Sequence, residues 1–267
     1  MTNGNKLCLK MMKGEIDEVW ANGWDFPKHV WPCLSQYEKS FVRNEFLGIR
    51  TLDYYSARLR TIGFEGMQKV LDAGCGMGQW SIALSRLNQK VEGVDINMGR
   101  LLVAQDLAQS MGKKQNCNFS YSSLESLPFE DGSLDGIFCY GTFMFTNMEK
   151  TLNEFHRKLG AGGIMYLNAN TWGQYAHLLF DRGLRGRNWS LIKSAIKMTL
   201  KTFLRPNQNA LVRENWLRRK LIKTGFSEVM VGDEGGLQIN SNVSRVRSAY
   251  PSAHYGMRNI IEVVARR

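Results

Sequence analysis

The chain has 267 residues, of which 43% are hydrophobic and 22% are charged, a balance that is ordinary for a soluble globular protein. It contains no apolar run of about 18 residues that could cross a membrane, and its first residues, MTNGNKLCLKMMKG, lack the apolar segment of a secretory signal. The five cysteines are scattered, and no CxxC or Cys/His cluster suggests a metal site, so we expect a cytoplasmic protein with reduced thiols and no metal.

The formal net charge of +11 is concentrated in the last third of the chain. Residues 1–170 carry 18 Lys and Arg against 18 Asp and Glu, whereas residues 171–267 carry 17 against six. A segregated excess of this kind indicates a surface that meets an anionic partner.

The pattern along the chain predicts an α/β fold. Residues 1–66 are helical in pattern and rich in aromatic residues, and from residue 69 onward strand-like and helix-like runs alternate. The strand-like runs cover 69–73, 90–95, 117–122, 134–141, 162–170, 226–232 and 259–266, and the helix-like runs between the first five cover 79–87, 98–111 and 147–159. Such alternation predicts a doubly wound, mostly parallel, seven-stranded sheet that follows an N-terminal helical segment.

The alternation breaks after the fifth strand. The run SLIKSAIKMTLKTFL, residues 190–204, has helical periodicity, with Lys193, Lys197 and Lys201 on one face and an apolar side. We interpret this region as an inserted helical cap. The predicted organisation is an N-terminal helical substrate-side segment, 1–66, and one domain, 67–267, with a cap insertion at about 171–212 and a second insertion at about 233–258.

Three glycines lie between the first strand-like run and the helix-like run that follows it, in VLDAGCGMGQW. Glycine permits a tight turn and a close approach to a ligand, and the start of a helix offers unpaired N–H groups. Such a loop binds dinucleotide phosphates or a carboxylate equally well.

The spacing around the loop narrows these alternatives. The NAD fingerprint would require glycine where Gln79 stands, and no lysine follows as a phosphate-binding P-loop requires. Asp72, at the end of the strand, would repel a pyrophosphate and favours a ligand with an ammonium group or bound water.

At this point the sequence resembles a known family. VLDAGCGMGQW is similar to motif I of the class I S-adenosylmethionine-dependent methyltransferases, and later landmarks of that family follow in order: VEGVDIN, SYSSLESLPFEDGSLDGIFCYGTF, MEKTLNEFHRKLGAGGIMYL and WLRRKLIKTGFSEVMV. The resemblance covers roughly 69–170 and 214–232 and the last strand. It implies a Rossmann-like domain that uses S-adenosylmethionine as its cofactor.

The resemblance also implies which residues hold that cofactor. The acid on the first strand and the glycine backbone would hold the methionine end, and the acid on the second strand would accept both ribose hydroxyls. Ser123 stands where the family often has Asp, so it would bind the adenine amino group more weakly, or Glu125 could serve instead. The residues assigned to the cofactor are Asp72, Gly74, Gly76, Gly78, Asp95, Ile96, Ser123, Leu124 and Tyr140.

The sequence alone does not identify the catalytic residues. A neutral amine needs no strong base when it accepts a methyl group, whereas a hydroxyl benefits from a general base. In the family, segments before motif I and after the fifth strand often close over the substrate, which favours His29 and His177, with Tyr175 behind them. A structural or exposed histidine is the alternative for each.

The predicted function is therefore an S-adenosylmethionine-dependent methyltransferase that transfers a methyl group to an O or N atom of a small-molecule acceptor. No nucleic-acid methylation motif of the [DNS]PP[YFW] or Pro-Cys type is present, which makes nucleic acid the less favoured partner. An RNA methyltransferase that uses the basic last third, or a non-catalytic cofactor-binding protein, remains an alternative. The oligomeric state is not predicted.

Two regions could shape the choice of acceptor. The basic residues of the cap could form a solvated face, cover an anionic substrate, meet an anionic membrane surface or contact nucleic acid. They are Arg182, Arg185, Arg187, Lys193, Lys197, Lys201 and Arg205. The N-terminal aromatic residues could line an apolar acceptor pocket or belong to the core; they are Trp20, Trp24, Phe26, Trp31 and Tyr37.

Overall fold

The computed structural model describes residues 22–47, 49–204, 211–246, 248 and 250–267. Trp20, Arg205 and the side chain of Lys201, all named above, lie outside the described residues, as does the first part of the predicted N-terminal segment.

Seven strands form one sheet in the order β3-β2-β1-β4-β5-β9-β6. The first five strands in chain order run parallel, and β9 pairs antiparallel with β5 and β6. The sheet strands are β1 (Lys69–Ala73), β2 (Lys90–Asp95), β3 (Cys117–Tyr121), β4 (Leu134–Cys139), β5 (Leu159–Asn170), β6 (Ser227–Asp233) and β9 (Ile260–Arg266). The prediction of a doubly wound, mostly parallel, seven-stranded sheet is confirmed.

One predicted strand boundary differs. The strand β5 begins at Leu159, directly after the preceding helix, rather than at residue 162. Leu159 pairs with Leu134, and the register then shifts before Gly136 pairs with Ile164. The glycine-rich segment 160–163 is therefore a bulged entry into the strand.

Helices cover both faces of the sheet. They are α1 (Gln36–Phe46), α2 (Leu52–Thr61), α3 (Gln79–Ser85), α4 (Met98–Ser110), α5 (Met148–Lys158), α6 (Trp172–Ala176), α7 (Trp189–Leu204) and α8 (Glu214–Thr224). Local sequence sets several of their starts: Ser35 and Glu38 form a reciprocal capping box at α1, and the side chains of Asn97 and Asn147 cap α4 and α5.

The N-terminal aromatic residues form core on one face of the sheet. Trp24, Phe26 and Trp31 are buried in the apolar cluster that also contains Tyr55 and Trp80. Trp24 and Phe26 both pack edge-to-face on Phe46. Of the two alternatives, the core position is the one observed for these three side chains, whereas Tyr37 is exposed.

The cap contains more helical structure than the sequence predicted. A π-helix over His177–Arg185 follows α6 directly and packs against α7, where a Cβ on Gly183 would meet Ile192 at 2.9 Å. The predicted helix over 190–204 is observed as α7. Within the described ranges, no helix has both the length and the apolar character needed to traverse a bilayer.

The second insertion is fastened to the sheet by one buried carboxylate. Glu262 on β9 accepts hydrogen bonds from the backbone N–H of Gly235 (3.1 Å) and Leu237 (2.6 Å) and from the Tyr166 hydroxyl (3.1 Å). It also forms a buried ion pair with Arg58 of α2. Farther along this insertion, β7 (Ala253–His254) and β8 (Met257–Arg258) form a short hairpin.

Candidate cofactor site

The glycine loop joins β1 to α3 at the edge of the sheet where the parallel strands end. The backbone N–H groups of Gly74 and Cys75 both donate to the carbonyl of Val94 on β2, at 2.8 and 2.9 Å. Gly74, Gly76 and Gly78 all have positive φ, at 79°, 55° and 85°. The strand order reverses beside β1, so the loop lies at the crevice where doubly wound sheets bind ligands.

Close packing explains why the first of these glycines cannot be replaced easily. A Cβ on Gly74 would lie 2.4 Å from the side chain of Thr142, which follows β4. A Cβ on Gly76 would meet no atom within 4 Å. The space beside Gly76 is therefore open to a ligand, whereas the space beside Gly74 is filled by protein.

Asp95 lies at the end of β2 and holds the loop in place. One carboxylate oxygen accepts from the N–H of Gly76 at 3.0 Å, and the other accepts from the N–H of Asn97 at 2.8 Å. Each oxygen keeps a second acceptor position. The carboxylate can therefore bind two hydroxyl groups of a ligand while it supports the loop.

Asp72 is placed differently from the prediction that it would meet the ligand directly. Its side chain is buried behind the loop and accepts a hydrogen bond of 2.6 Å from the Ser81 hydroxyl of α3. Burial, together with the nearby charge of Asp95, raises the pKa of Asp72 to about 7. Asp72 would therefore influence a ligand indirectly, by positioning the loop and by the electrostatic effect of its carboxylate.

These elements enclose a cavity of about 580 Å³. Its wall combines the glycine loop, the start of α3, the ends of β2 and β4, the N-terminal helix α1 and the second insertion. The lining residues are Phe41, Asn44, Glu45, Arg50, Gly74, Cys75, Gly76, Gln79, Trp80, Asp95, Arg100, Tyr140, Gly141, Thr142 and Tyr250.

Three polar atoms on this wall have no hydrogen-bond partner among the residues that the structure describes. They are Oε1 of Gln79, Nε1 of Trp80 and Nε of Arg100, and each of these atoms is buried. A buried polar group without a partner is costly, so the wall requires a polar ligand or water. One free acceptor, two free donors and the Asp95 carboxylate fit the amino-acid end and the ribose of S-adenosylmethionine.

A buried ion pair lies on the cavity wall opposite the glycine loop. Glu45 of α1 forms an ion pair of 2.5 Å with Arg50 and accepts from the Tyr55 hydroxyl at 3.0 Å. Burial disfavours the charged form of Arg50, but the Glu45 carboxylate and three neighbouring tyrosines together outweigh it and raise the pKa of Arg50. The guanidinium lies 5.0 Å from the ring centroid of Tyr250, so this wall presents a compensated charge beside an aromatic ring.

Tyr140 connects the cavity to the second insertion. It follows β4, and its hydroxyl donates to Glu234 at 3.3 Å. Burial, and next the charge of Glu234, raises the pKa of Tyr140 well above its usual range. Burial also raises the pKa of Tyr250. Both hydroxyls are therefore protonated at neutral pH and can donate hydrogen bonds rather than act as bases.

The residues predicted at the adenine lie outside the cavity lining. Ile96 is 68% exposed next to Asp95, and Leu124 is buried in the core. The Ser123 hydroxyl accepts from the N–H of Glu125 at 3.2 Å, and the Glu125 carboxylate accepts from the N–H of Asn147. Gly78, the last glycine of the loop, caps α3 without lining the cavity.

The catalytic candidates are not brought to the cavity. His29 pairs with Asp106 at 3.1 Å on the surface, and His177 pairs with Asp181 at 2.9 Å in the cap. Tyr175 is buried, which raises its pKa. No histidine in the described part of the chain lines the cavity.

Sequence reasoning missed several side chains on this wall. Among them are Phe41, Glu45, Arg50, Arg100 and Tyr250. They come from segments without a recognisable motif, and the fold brings them to the glycine loop. The aromatic and charged composition of residues 22–66 was the available signal, but it did not separate core from cavity.

A second cavity, of about 590 Å³, lies elsewhere and is a separate feature. Its lining includes Trp172, Trp216, Arg213, Arg219 and Met257. It shares no lining residue with the cavity at the glycine loop.

Comparison with known proteins agrees with this geometry. Residues 70–163 match the family model of a methyltransferase domain. The uncharacterised methyltransferase YcgJ of Bacillus subtilis is 34% identical over 127 residues, which cover 47% of each chain. The ubiquinone/menaquinone biosynthesis C-methyltransferase UbiE of Haemophilus ducreyi is 34% identical over 100 residues, 36% of this chain and 39% of that protein. These matches thus span half or less of the relatives' length.

The fold is also similar to solved structures. Geranyl diphosphate C-methyltransferase from Streptomyces coelicolor A3(2), solved with Mg²⁺, geranyl diphosphate and S-adenosyl-L-homocysteine, superposes with a TM-score of 0.59. The identity is 15%, and the superposition covers 88% of this chain and 85% of that one, a likeness of fold. The matching family model thus identifies residues 70–163 as a methyltransferase domain, and the superposition shows that most of the chain shares the fold of such enzymes.

Proposed function

We propose that this protein transfers the methyl group of S-adenosylmethionine to a small-molecule acceptor. The observation that carries the proposal is the cavity at the glycine loop, which is lined by Asp95, Gln79 and Trp80 and is open beside Gly76. Among the described residues, the Gln79 oxygen and the Trp80 nitrogen have no hydrogen-bond partner. When bound, the cofactor supplies an activated methyl group, and the chain supplies position and electrostatics.

The residues divide the work of holding the cofactor. Asp95 would accept hydrogen bonds from the ribose hydroxyls, and the Gln79 oxygen would accept from the ammonium group of the methionine end. The free N–H of Trp80 would donate to the methionine carboxylate. Ile96, Ser123 and Leu124 stay as proposals for the adenine, since they follow the ends of β2 and β3 at the same edge of the sheet.

Among the described residues, the wall of the cavity offers no free strong base. Each of the two carboxylates that line the cavity, on Glu45 and Asp95, already accepts hydrogen bonds from the protein. This arrangement favours acceptors that need no strong base, such as an amine, an acidic hydroxyl or an electron-rich carbon. The O and N acceptors predicted from the sequence belong to this group of acceptors. The C-methyltransferase among the relatives supports a carbon acceptor as a further member.

The acceptor side of the cavity is largely aromatic. Phe41, Tyr140 and Tyr250 line it, and the Arg50 charge is compensated by Glu45. We infer an acceptor with an apolar or aromatic body, aligned by ring contacts and by the Tyr250 hydroxyl, since the Tyr140 hydroxyl already donates to Glu234. Alignment of reacting groups by such contacts accounts for a large part of the rate in transfer reactions.

The exposed surface of the cap helix α7 supports the proposal that the acceptor is presented at a lipid surface. On one face of α7, Trp189, Ile196 and Leu200 are 72%, 49% and 57% exposed, with the exposed Lys193 and Lys197 beside them. The buried Ile192 and Ala195 continue this apolar arc into the protein. An apolar arc wider than its protein contact, bordered by lysines, is typical of helices that lie in a membrane interface.

Calorimetric titration with S-adenosylmethionine and S-adenosylhomocysteine tests the cofactor. We expect both to bind with one site, and absence of binding at millimolar ligand would remove the proposal. Transfer of labelled methyl from the cofactor into a metabolite or lipid extract, with Asp95→Ala as the negative control, then tests catalysis. Binding without any transfer would identify a non-catalytic cofactor-binding protein.

Vesicle co-sedimentation tests the cap. We expect binding to vesicles that contain anionic lipid, and loss of binding in Lys193→Glu/Lys197→Glu and in Trp189→Ser. The double variant Lys114→Glu/Lys150→Glu changes the net charge equally at exposed sites away from the cap and should still bind. Equal loss in both double variants would contradict the proposal, and binding of RNA in place of vesicles would favour an RNA substrate.

A further inference from the structure

Two histidines and one aspartate meet where the cap touches the second insertion. His177 and Asp181 lie on the π-helix of the cap, and His254 lies on β7 of the hairpin. One ligand atom from each side chain lies within 4.8 Å of the other two, and each residue is partly buried. His177 and Asp181 are neighbours on one helix, but His254 lies far from them in the sequence, which is why the sequence alone showed no metal-binding cluster.

The distances between these side chains approach those of a metal site. His177 Nδ1 lies 2.9 Å from Asp181 Oδ2. The rings of His177 and His254 stack with centroids 4.3 Å apart and planes 18° from parallel. Zinc binds nitrogen and carboxylate oxygen at about 2.0–2.2 Å, which places neighbouring ligand atoms roughly 3.3 Å apart. The ligand atom of His254 lies within 4.8 Å of those of His177 and Asp181, so metal binding requires a small approach of its side chain.

The surroundings of Asp181 leave one oxygen for a metal. Its Oδ1 accepts from the Tyr255 hydroxyl at 2.6 Å and from Arg185 at 2.7 Å. The Oδ2 atom faces His177. Carboxylates that bind metals are usually oriented by such outer hydrogen bonds.

Two unusual backbone conformations also occur beside these three residues. Tyr255 has φ of 53°, which is rare for a non-glycine residue, and with Gly256 it forms the turn of the hairpin that carries His254. The partner residues His177 and Asp181 lie on a π-helix, and short π-helical segments often occur at functional sites.

We propose that His177, Asp181 and His254 bind one divalent transition-metal ion of the zinc type, which clips the cap to the second insertion. Two imidazoles and one carboxylate are a ligand set for zinc, iron(II) or cobalt(II) rather than for magnesium or calcium. Three protein ligands leave a coordination position open to water. The site lies apart from the cofactor cavity, since none of its three residues lines that cavity.

Metal titration of the full chain tests the site. After treatment with a chelator, the protein is titrated with Zn²⁺ in a Cys33→Ser background, which removes an exposed thiol that could bind zinc by itself. We expect one zinc ion per chain, and at least tenfold weaker binding in His254→Ala and in Asp181→Asn. His29→Ala is the matched control, because His29 and Asp106 form an exposed His–Asp pair without a third ligand among the groups found in the described residues.

Two further measurements keep the test decisive if a variant folds poorly. Co²⁺ bound to the chain with its native histidines should give d–d absorption without a sulfur-to-metal charge-transfer band. Zn²⁺ should raise the thermal unfolding midpoint of that chain and leave the midpoint of His254→Ala unchanged. Zinc binding that is equal in the parent and His254→Ala, or a cobalt spectrum dominated by thiolate, would overturn the proposal.

Discussion

The Ser81 hydroxyl of α3 donates a hydrogen bond of 2.6 Å to the carboxylate of Asp72 on β1, and both side chains are buried. Burial raises the pKa of Asp72 to about 7 from an ordinary value of 3.8. The folded chain therefore binds one more proton than the unfolded chain between these two pH values, and the stability contributed by this group falls as the pH rises through the window. Above about pH 7 the cost stays constant.

This linkage predicts the behaviour of Asp72→Asn, which keeps an acceptor for Ser81 but cannot ionise. The variant should exceed the unsubstituted protein in unfolding free energy by more at pH 8 than at pH 5. The increase in this difference should be on the order of a few kcal/mol. Urea unfolding at both pH values measures the difference. Parallel pH profiles for the two proteins would show that Asp72 ionises normally.

The fold was predictable because its strongest signals are local. The apolar strand runs and the glycine loop each lie within a short window, and the helices between them show clear periodicity. The wall opposite the loop was not predictable in this way. Arg50 follows α1, and Tyr250 lies in the second insertion, which long-range hydrogen bonds such as those to Glu262 hold against the sheet.

The same reasoning explains the histidines. A histidine near a loop carries little information by itself, since its partner decides its role. His29 meets Asp106 on the surface, and His177 meets Asp181 and His254, and these pairings depend on long-range packing. The sequence could identify the cofactor loop, but it could not place a base.

A matched pair of aspartates separates cofactor binding from support of the backbone. Asp95 and Asp135 each accept hydrogen bonds from two backbone N–H groups, Asp95 beside the glycine loop and Asp135 from Gln68 and Lys69 at the start of β1. We expect both Asp→Ala variants to lose stability. The affinity for S-adenosylmethionine should fall at least tenfold only in Asp95→Ala, because charge-assisted bonds to the ribose are worth about 1.5–3 kcal/mol. Calorimetry measures this, and equal affinities in both variants would contradict the assignment.

A second matched pair tests the open space beside the loop. Gly76 and Gly112 both have positive φ, 55° and 66°, and a Cβ on either meets no protein atom within 4 Å. Alanine at each position should therefore cost a similar 1–2 kcal/mol, roughly, in unfolding free energy. We expect Gly76→Ala alone to lose cofactor affinity, because its methyl group would occupy the cavity. Wild-type affinity in Gly76→Ala would place the cofactor elsewhere.

The buried Glu262 links stability to the shape of the cavity. It accepts from Tyr166 and from the backbone of the second insertion, and it pairs with Arg58, which is buried as well. Glu262→Gln leaves the Arg58 charge uncompensated, and breaking a buried pair in this way costs about 3–5 kcal/mol. The exposed pair of Asp53 and Arg86, 2.8 Å apart, is the control, and Asp53→Asn should cost less than about 1 kcal/mol. Urea unfolding gives both values. Because the same insertion carries Tyr250 to the acceptor side of the cavity, Glu262→Gln should also lower methyl transfer by the fraction that stays folded. Unchanged transfer there would show that the insertion keeps its position without this anchor.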